Sequence, residues 1–334
     1  MITGGTTPGS VGGVSAATAL VSVDDVTAAA GRIAGRVVRT PLVPTSWAAS
    51  DRPLWLKPEN LQVIGAFKIR GALNAVGALD EVARSRGIVT HSSGNHAQAV
   101  ALAAREYSVK AHIVMPETSP AVKVAATRAL GGEVILVPPS ERASRAAELE
   151  AEHGYAYVAP FDDRHVIAGQ GTIGLEIMAD LPDVATVLVP VGGGGLVSGI
   201  ATAVKALRPD VKVIACEPEL AGDTADSFQH GERRVWPVEL NYRTVADSVR
   251  VGLGELTWEH IRARVDDVLT VSEEAIRSAV KVLALGSRLV AEPGGAVAVA
   301  AYRTYTATLP PGPVVAVVSG GNVEPGLLAE LLAD

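Results

Sequence analysis

The chain has 334 residues, 48% hydrophobic and 19% charged, which is enough apolar material for one large α/β domain or two smaller ones. Its net charge of −7 argues against a nucleic-acid-binding body, its single cysteine (Cys216) excludes an intramolecular disulfide, and no uninterrupted apolar run is long enough to span a bilayer. Residues 1–22 are rich in Gly, Ser and Thr without a basic start, so they read as a flexible tail rather than a signal peptide, and the reducing cytoplasm is the expected compartment.

A first helix is expected over 24–37, capped by Asp24 or Asp25, with Val26, Ile33 and Val37 on its apolar side. A short strand over 54–57 is turned by Pro58-Glu59-Asn60. Residues 67–84 read as one helix, with Ile69, Leu73, Val76, Leu79 and Val82 on one side and Lys68 in its first turn. From there strand, loop and helix alternate. Strands are expected over 87–91, 110–115, 133–137, 155–158, 185–191, 211–216, 268–271 and 314–318. Helices follow over 96–107, 121–130, 141–152, 171–180, 196–207, 272–285 and 294–305, with a last one closing the chain. Such alternation means parallel sheets with helices on both faces. Only 217–258, polar and interrupted by Gly and Pro, resists the pattern. The chain closes soon after the loop at 319–322, so no appended effector domain is expected.

Three loops at strand ends carry chemistry-bearing residues: Ser92-Ser93-Gly94-Asn95, Gly192-Gly193-Gly194-Gly195 and Ser319-Gly320-Gly321-Asn322. Open α/β sheets bind ligands at the carboxyl ends of their strands, so the three loops can converge on one cleft. Four glycines between a buried strand and a helix start let backbone N–H groups converge on an anion, and a phosphate is the natural guest. No Lys-Ser/Thr follows the glycines and Val197 stands where the dinucleotide fingerprint needs Gly, so neither a Walker loop nor a nicotinamide dehydrogenase site is indicated. Lys68 lies after an apolar loop at a helix start, where burial and the helix dipole both disfavour its charged form and suit it to a Schiff base. Each feature taken alone also has a plain reading: a tight turn, a Ser/Asn turn, a solvated lysine.

Taken together and in order, the motifs point further. Lys57-Pro58-Glu59-Asn60-Leu61-Gln62, Phe67-Lys68-Ile69-Arg70-Gly71-Ala72, Ser92-Ser93-Gly94-Asn95-His96-Ala97-Gln98, Ile167-Ala168-Gly169-Gln170-Gly171-Thr172, the glycine tetrad and Ser319-Gly320-Gly321-Asn322 run from about residue 40 to 324. In this the chain resembles the fold-type II pyridoxal-phosphate enzymes, specifically the serine/threonine dehydratase (ammonia-lyase) and serine racemase family. The resemblance implies an α/β architecture of two open parallel-sheet domains, tryptophan-synthase-β-like, with pyridoxal 5′-phosphate in the cleft between them. The large domain would comprise 23–62 and 160–334, and the small one 63–159.

The resemblance also implies roles. Lys68 would carry the cofactor as an internal aldimine and then move the Cα proton. Asn95 would hydrogen-bond the cofactor's phenolic oxygen. Gly192, Gly193, Gly194 and Gly195, with the Leu196 amide, would hold its phosphate, and Ser319 would face the pyridine nitrogen. A hydroxyl there makes a weaker electron sink than an Asp would, which favours elimination. Ser92, Ser93 and Asn95 would take the substrate carboxylate, with His96 beside them; the His96 imidazole itself reads as a loop-to-helix structural group, because the lysine does the proton work. The implied reaction is α,β-elimination of water and ammonia from L-serine, L-threonine or a bulkier L-β-hydroxy amino acid, giving a 2-oxo acid. Ser93, where many pure dehydratases carry Ala, keeps serine racemisation open with this hydroxyl as a second acid/base. Glu217, Ala221 and Asp223 match the cation site of racemase-like members, an all-oxygen set suited to Mg²⁺ (or Mn²⁺ or Ca²⁺), with Leu256 able to add a carbonyl; a solvated acidic loop is the alternative. A homodimer is implied as well. Three positions depart from the family pattern: Ala66 for Ser, Ile64 for Thr, and Ala159 for His before Pro160. They put the standard substrate geometry in question. A β-replacement enzyme and a non-catalytic phosphate-ligand sensor are the readings from other classes.

Overall fold

The computed structural model describes residues 19–333. The tail expected over 1–22 lies outside the described residues up to residue 18, and from Val21 the chain is packed rather than flexible. Val21 is fully buried and its N–H donates to His260 Nε2 at 2.9 Å. Ser22, not Asp24 or Asp25, caps the first helix, Val23–Ile33, and Asp25 at the third helical position bonds back to the Ser22 amide in a reciprocal capping box. This helix ends at Ile33 rather than residue 37, since Ala34 turns to ψ 134° and Gly35 follows at φ 75°.

Ten strands among the described residues form two sheets. In chain order they are β1 (Val43–Pro44), β2 (Leu54–Pro58), β3 (Ile88–His91), β4 (Ala111–Pro116), β5 (Glu133–Val137), β6 (Ala156–Tyr157), β7 (Thr186–Pro190), β8 (Lys212–Pro218), β9 (Asp267–Val271) and β10 (Val314–Val318). The six-stranded sheet has the order β1-β2-β10-β7-β8-β9, and the four-stranded sheet β5-β4-β3-β6. Every pairing is parallel except β1 with β2. β7 and β10 are buried at every position, as strands covered on both faces must be, which is why they read as continuous apolar runs. β1 is the strand the pattern did not suggest: two residues ending in Pro44 leave no alternation to read.

The helix expected over 67–84 is two. Lys68–Ala78 stops where Leu79 turns extended at ψ 142°, and Asp80 starts Glu81–Arg86 by accepting from the Ala83 amide at 2.7 Å. The helix expected from residue 171 begins earlier, at Arg164, because Asp163 caps it through the His165 and Val166 amides. This helix, Arg164–Asp180, packs against both Lys68–Ala78 and Gly195–Leu207. The approach is close: a Cβ on Gly199 would stand 2.3 Å from the Ile167 carbonyl oxygen, so only glycine fits there.

One buried ionic cluster anchors the Lys68 helix. The Arg70 guanidinium, fully buried, bonds both Glu59 oxygens at 2.8 Å and reaches Glu176 at 2.6 and 2.9 Å. Lys57, also fully buried, donates to Glu176 Oε2 and to the Thr40 carbonyl, each at 2.6 Å. Two cations face two carboxylates, and the fork geometry of Arg70 matches Glu59 in a bidentate pair. The Lys57-Pro58-Glu59 and Lys68-Ile69-Arg70 motifs therefore meet in one joint that ties β2 to the head of the Lys68 helix.

Candidate active site

The carboxyl ends of β3, β7 and β10 open on one cavity of about 620 Å³, whose walls include Lys68, Ser92, Ser93, Asn95, the four glycines, Leu196 and Ser319. Three helices also begin there: Lys68–Ala78, Asn95–Glu106 and Gly195–Leu207. Helix starts present unpaired N–H groups and partial positive charge, so the cavity is built to receive anionic groups.

Lys68 heads its helix because the two residues before it are held to the loop after β10: the Phe67 amide donates to the Ser319 carbonyl at 3.1 Å, and Ala66 bridges Gly320. Its Nζ donates to the Pro160 carbonyl at 2.6 Å and lies 5.2 Å from the Phe67 ring centroid. Burial alone pulls its pKa down to about 8, because a charged amine is poorly solvated in this wall.

The glycine loop is braced from behind. Gly194 adopts φ 88°, a left-handed value natural to glycine, and Gly195 is the first residue of the following helix. A Cβ on Gly193 would stand 2.3 Å from the Phe161 ring. The Gly193 carbonyl accepts from Thr257 Oγ1 at 2.8 Å, turning it away from an anion. Asp162 holds Thr257 in turn: its carboxylate accepts from the Glu255 and Thr257 amides at 3.1 and 3.0 Å. A glycine loop with its carbonyl held from behind, at the start of a helix, suits a phosphate cradle.

In the β3 loop, Ser92 Oγ accepts from the Gly94 amide at 3.3 Å, and Ser93 lines the cavity. Asn95 Nδ2 donates to Glu292 Oε1 and its Oδ1 accepts from Asn322 Nδ2, both at 2.8 Å. His96 also lines the cavity; its ring is buried, with Nε2 3.1 Å from Thr90 Oγ1 and 3.0 Å from the Val158 carbonyl. Burial, helped by the charge of Lys68, pushes its pKa down to about 3, so the ring is neutral near pH 7. Ser319 follows β10 at the cavity wall and is buried.

Glu217, Ala221 and Asp223 do not line this cavity. Glu217 lies in β8 and caps the helix Asp223–His230, accepting from the Thr224 and Ala225 amides at 3.2 and 2.6 Å. Asp223 Oδ1 accepts from Asn241 at 3.2 Å, while its Oδ2 is buried without a partner. Burial, and then the neighbouring Asp223, pushes Glu217 up to about 8; burial pushes Asp223 up to about 6. Two buried carboxylates side by side, one with an orphaned oxygen, suit a hard cation chemically. No group of three or more His, Cys, Asp or Glu able to hold a metal exists among the described residues, so backbone carbonyl and water would have to complete the set. The Leu256 carbonyl is already engaged by His260 Nδ1 at 2.8 Å.

Several lining residues carry no sequence signal. Lys123, Arg142 and Arg250 bring positive charge to the cavity, Tyr157 an aromatic wall, and Glu292 a buried carboxyl. They lie at helix starts, in an irregular segment and, for Tyr157, in the short strand β6, where the residue type is unremarkable. Only the fold brings them to the β3, β7 and β10 loops.

The fold is that of an α/β enzyme with parallel sheets of the tryptophan-synthase-β-like kind. The chain belongs to the family described as pyridoxal-phosphate dependent enzyme, whose model matches residues 33–320. Serine racemase of Oryza sativa subsp. indica is 40% identical over 319 residues, covering 93% of this chain and 93% of its own. L-threonine ammonia-lyase of Thermotoga maritima is 42% identical over 318 residues, covering 94% of this chain and 78% of its own. The solved structure of maize serine racemase matches with a TM-score of 0.89 at 38% identity, covering 94% of this chain and 98% of that one. The residues present fit the cofactor: a desolvated amine, and a braced glycine loop at a helix start, in one cavity. No helix among the described residues is long and apolar enough to cross a membrane.

Proposed function

We propose that the protein removes water and ammonia from an L-β-hydroxy amino acid, L-threonine, L-serine or a bulkier relative, to give a 2-oxo acid. The observation that carries this reading is Lys68, a lysine with a pKa near 8, in one cavity with two loop-to-helix anion sites. Bound pyridoxal phosphate supplies an electron sink that stabilises negative charge at the substrate Cα. Lys68, Asn95, Gly192 to Gly195, the Leu196 amide and Ser319 would hold it.

The chain's own groups account for the rest. Lys68 Nζ, held with a pKa below that of an ordinary lysine, takes the Cα proton in its neutral form. Ser92, Ser93 and the head of the Asn95 helix orient the substrate carboxylate through hydroxyl and backbone N–H donors. The Ser319 hydroxyl has no full charge with which to hold a ring proton, which supports elimination over deeper carbanion chemistry.

Racemisation is the second reading. It is supported by the Ser93 hydroxyl in the same cavity as Lys68 and by the similarity to serine racemases. We further propose that the Glu217 and Asp223 carboxylates and the Ala221 carbonyl hold Mg²⁺ or a similar cation in a structural or activating site. A cytoplasmic homodimer, with a large domain of 23–62 and 160–334 and a small one of 63–159, completes the proposal. Incubating the protein with pyridoxal phosphate, Mg²⁺ and each of L-serine, L-threonine and larger β-hydroxy amino acids tests it, with 2-oxo acid and D-isomer followed together. Oxo acid that disappears in Lys68→Ala supports the lyase reading. D-serine as main product supports the racemase reading, and neither product contradicts both.

A further inference from the structure

The amide of Asn95 is held at both ends, and the direction of its bonds follows from a group that can only accept. Asn322 Nδ2 donates to the Ile64 carbonyl and to Asn95 Oδ1, both at 2.8 Å. A flipped Asn322 would set its own oxygen against that carbonyl, acceptor on acceptor, so its nitrogen must face Ile64. Both Asn322 N–H groups are thereby taken, and Asn95 must turn its oxygen toward Asn322. Its Nδ2 then faces the other way and gives one N–H to Glu292 Oε1 at 2.8 Å. One N–H of Asn95 is left over, on a side chain that lines the cavity.

Glu292 is itself fixed. It is 4% exposed, its amide donates to the Gly320 carbonyl at 3.1 Å, and the Ser248 hydroxyl bonds its carboxyl. A Cβ at position 320 would stand 2.6 Å from Glu292 Oε1, so Gly320 makes the room for the carboxyl. Burial, and then Asp247, pushes the Glu292 pKa up to about 7, while Lys123 acts in the opposite sense. A carboxyl or carboxylate at this place can accept from Asn95 in either protonation state.

We infer that Asn322 and Glu292 are positioning residues: they lock the Asn95 amide so that its remaining N–H is presented to the cofactor. This rests on the reading of Asn95 as a cofactor contact. Two anchors from distant parts of the chain set one donor that would otherwise rotate freely between two amide orientations.

The test reads pyridoxal phosphate directly, by its dissociation constant and by the wavelength of its absorption band in the reconstituted protein. Asn95→Ala, Glu292→Leu and Asn322→Ala should each move the band in the same direction and weaken binding about fivefold, the effect of one hydrogen bond. Glu292→Gln, whose side-chain oxygen still accepts from Asn95, should keep the wild-type band. Asn95→Ala combined with Glu292→Leu should be no worse than Asn95→Ala alone, because both remove the same contact. An unchanged band and affinity in Asn95→Ala would overturn the Asn95 assignment, and the clamp with it. A changed Asn95→Ala beside wild-type behaviour of Glu292→Leu and Asn322→Ala, or full additivity in the double variant, would overturn the clamp alone. If Glu292→Leu does not fold, Asn322→Ala alone and combined with Asn95→Ala decides in the same way.

Discussion

Two lysines flank one loop of this chain; burial lowers the pKa of both, and their hydrogen-bond partners differ. Lys57 ends β2 inside the ionic cluster, where Glu176 and the Thr40 carbonyl take its protons' hydrogen bonds. Burial pulls its pKa down, and Glu176 pulls it back. Lys68 is desolvated too, but its single bond is to the neutral Pro160 carbonyl and no carboxylate opposes the shift. Lys57 sits beside a carboxylate and anchors the cluster; Lys68, the amine we propose to react, faces only a carbonyl. The same contrast separates Arg70, bound into a joint, from the glycine loop of 192–195, held from one side where the Gly193 carbonyl accepts from Thr257 Oγ1.

The contrast can be broken at either end. Lys68→Ala should lower product formation by at least ~10³-fold, as loss of a group that both carries the cofactor and moves the proton demands, with little change in the unfolding midpoint. Arg70→Met should do the reverse. It leaves Glu59 and Glu176 buried without their main partner and should cost about 3–5 kcal/mol in denaturant unfolding. Equal stability losses in both variants would erase the distinction.

Gly193→Ala probes the cradle. Its Cβ meets the Phe161 ring, so pyridoxal phosphate affinity should fall on the order of tenfold. The pH dependence of cofactor uptake sharpens the lysine comparison further. Only the neutral amine attacks a carbonyl, so the uptake rate of the cofactor-free protein should rise with pH and level off above about 8. At an ordinary lysine it would keep climbing toward the usual value near 10.4. A further prediction concerns the Glu217 and Asp223 pair. Mg²⁺ at about 100 times its dissociation constant should stabilise the protein by about 2.7 kcal/mol, read as a rise in Tm, and Asp223→Asn should abolish the rise.

Much of the cavity was legible in the sequence. A glycine run after a buried strand, or Ser-Ser-Gly-Asn before a helix, states its local geometry within a few residues, and parallel α/β topology brings strand ends together. What could not be read depends on partners far along the chain. Arg70 meets Glu176, Asp162 braces the glycine loop through Thr257, and Glu292 meets Asn95, each across a separation with no periodic signal. Asp80 was hidden differently: it lies inside an apolar period that runs unbroken from Ile69 to Val82, so the cap that splits the helix looked like an exposed position. Asn95 shows the division most clearly. Its loop is readable, but the orientation of its amide is set by Asn322 and the Ile64 carbonyl.

The central claim is that Lys68, and not its anchored neighbour Lys57, is the reacting amine. Borohydride reduction of the protein reconstituted with pyridoxal phosphate, followed by digestion and peptide mass analysis, tests it most directly. A pyridoxyl mass increment is expected on the peptide containing Lys68 and is expected to be absent in Lys68→Ala. An increment on Lys57 or another lysine, or none at all, would contradict it.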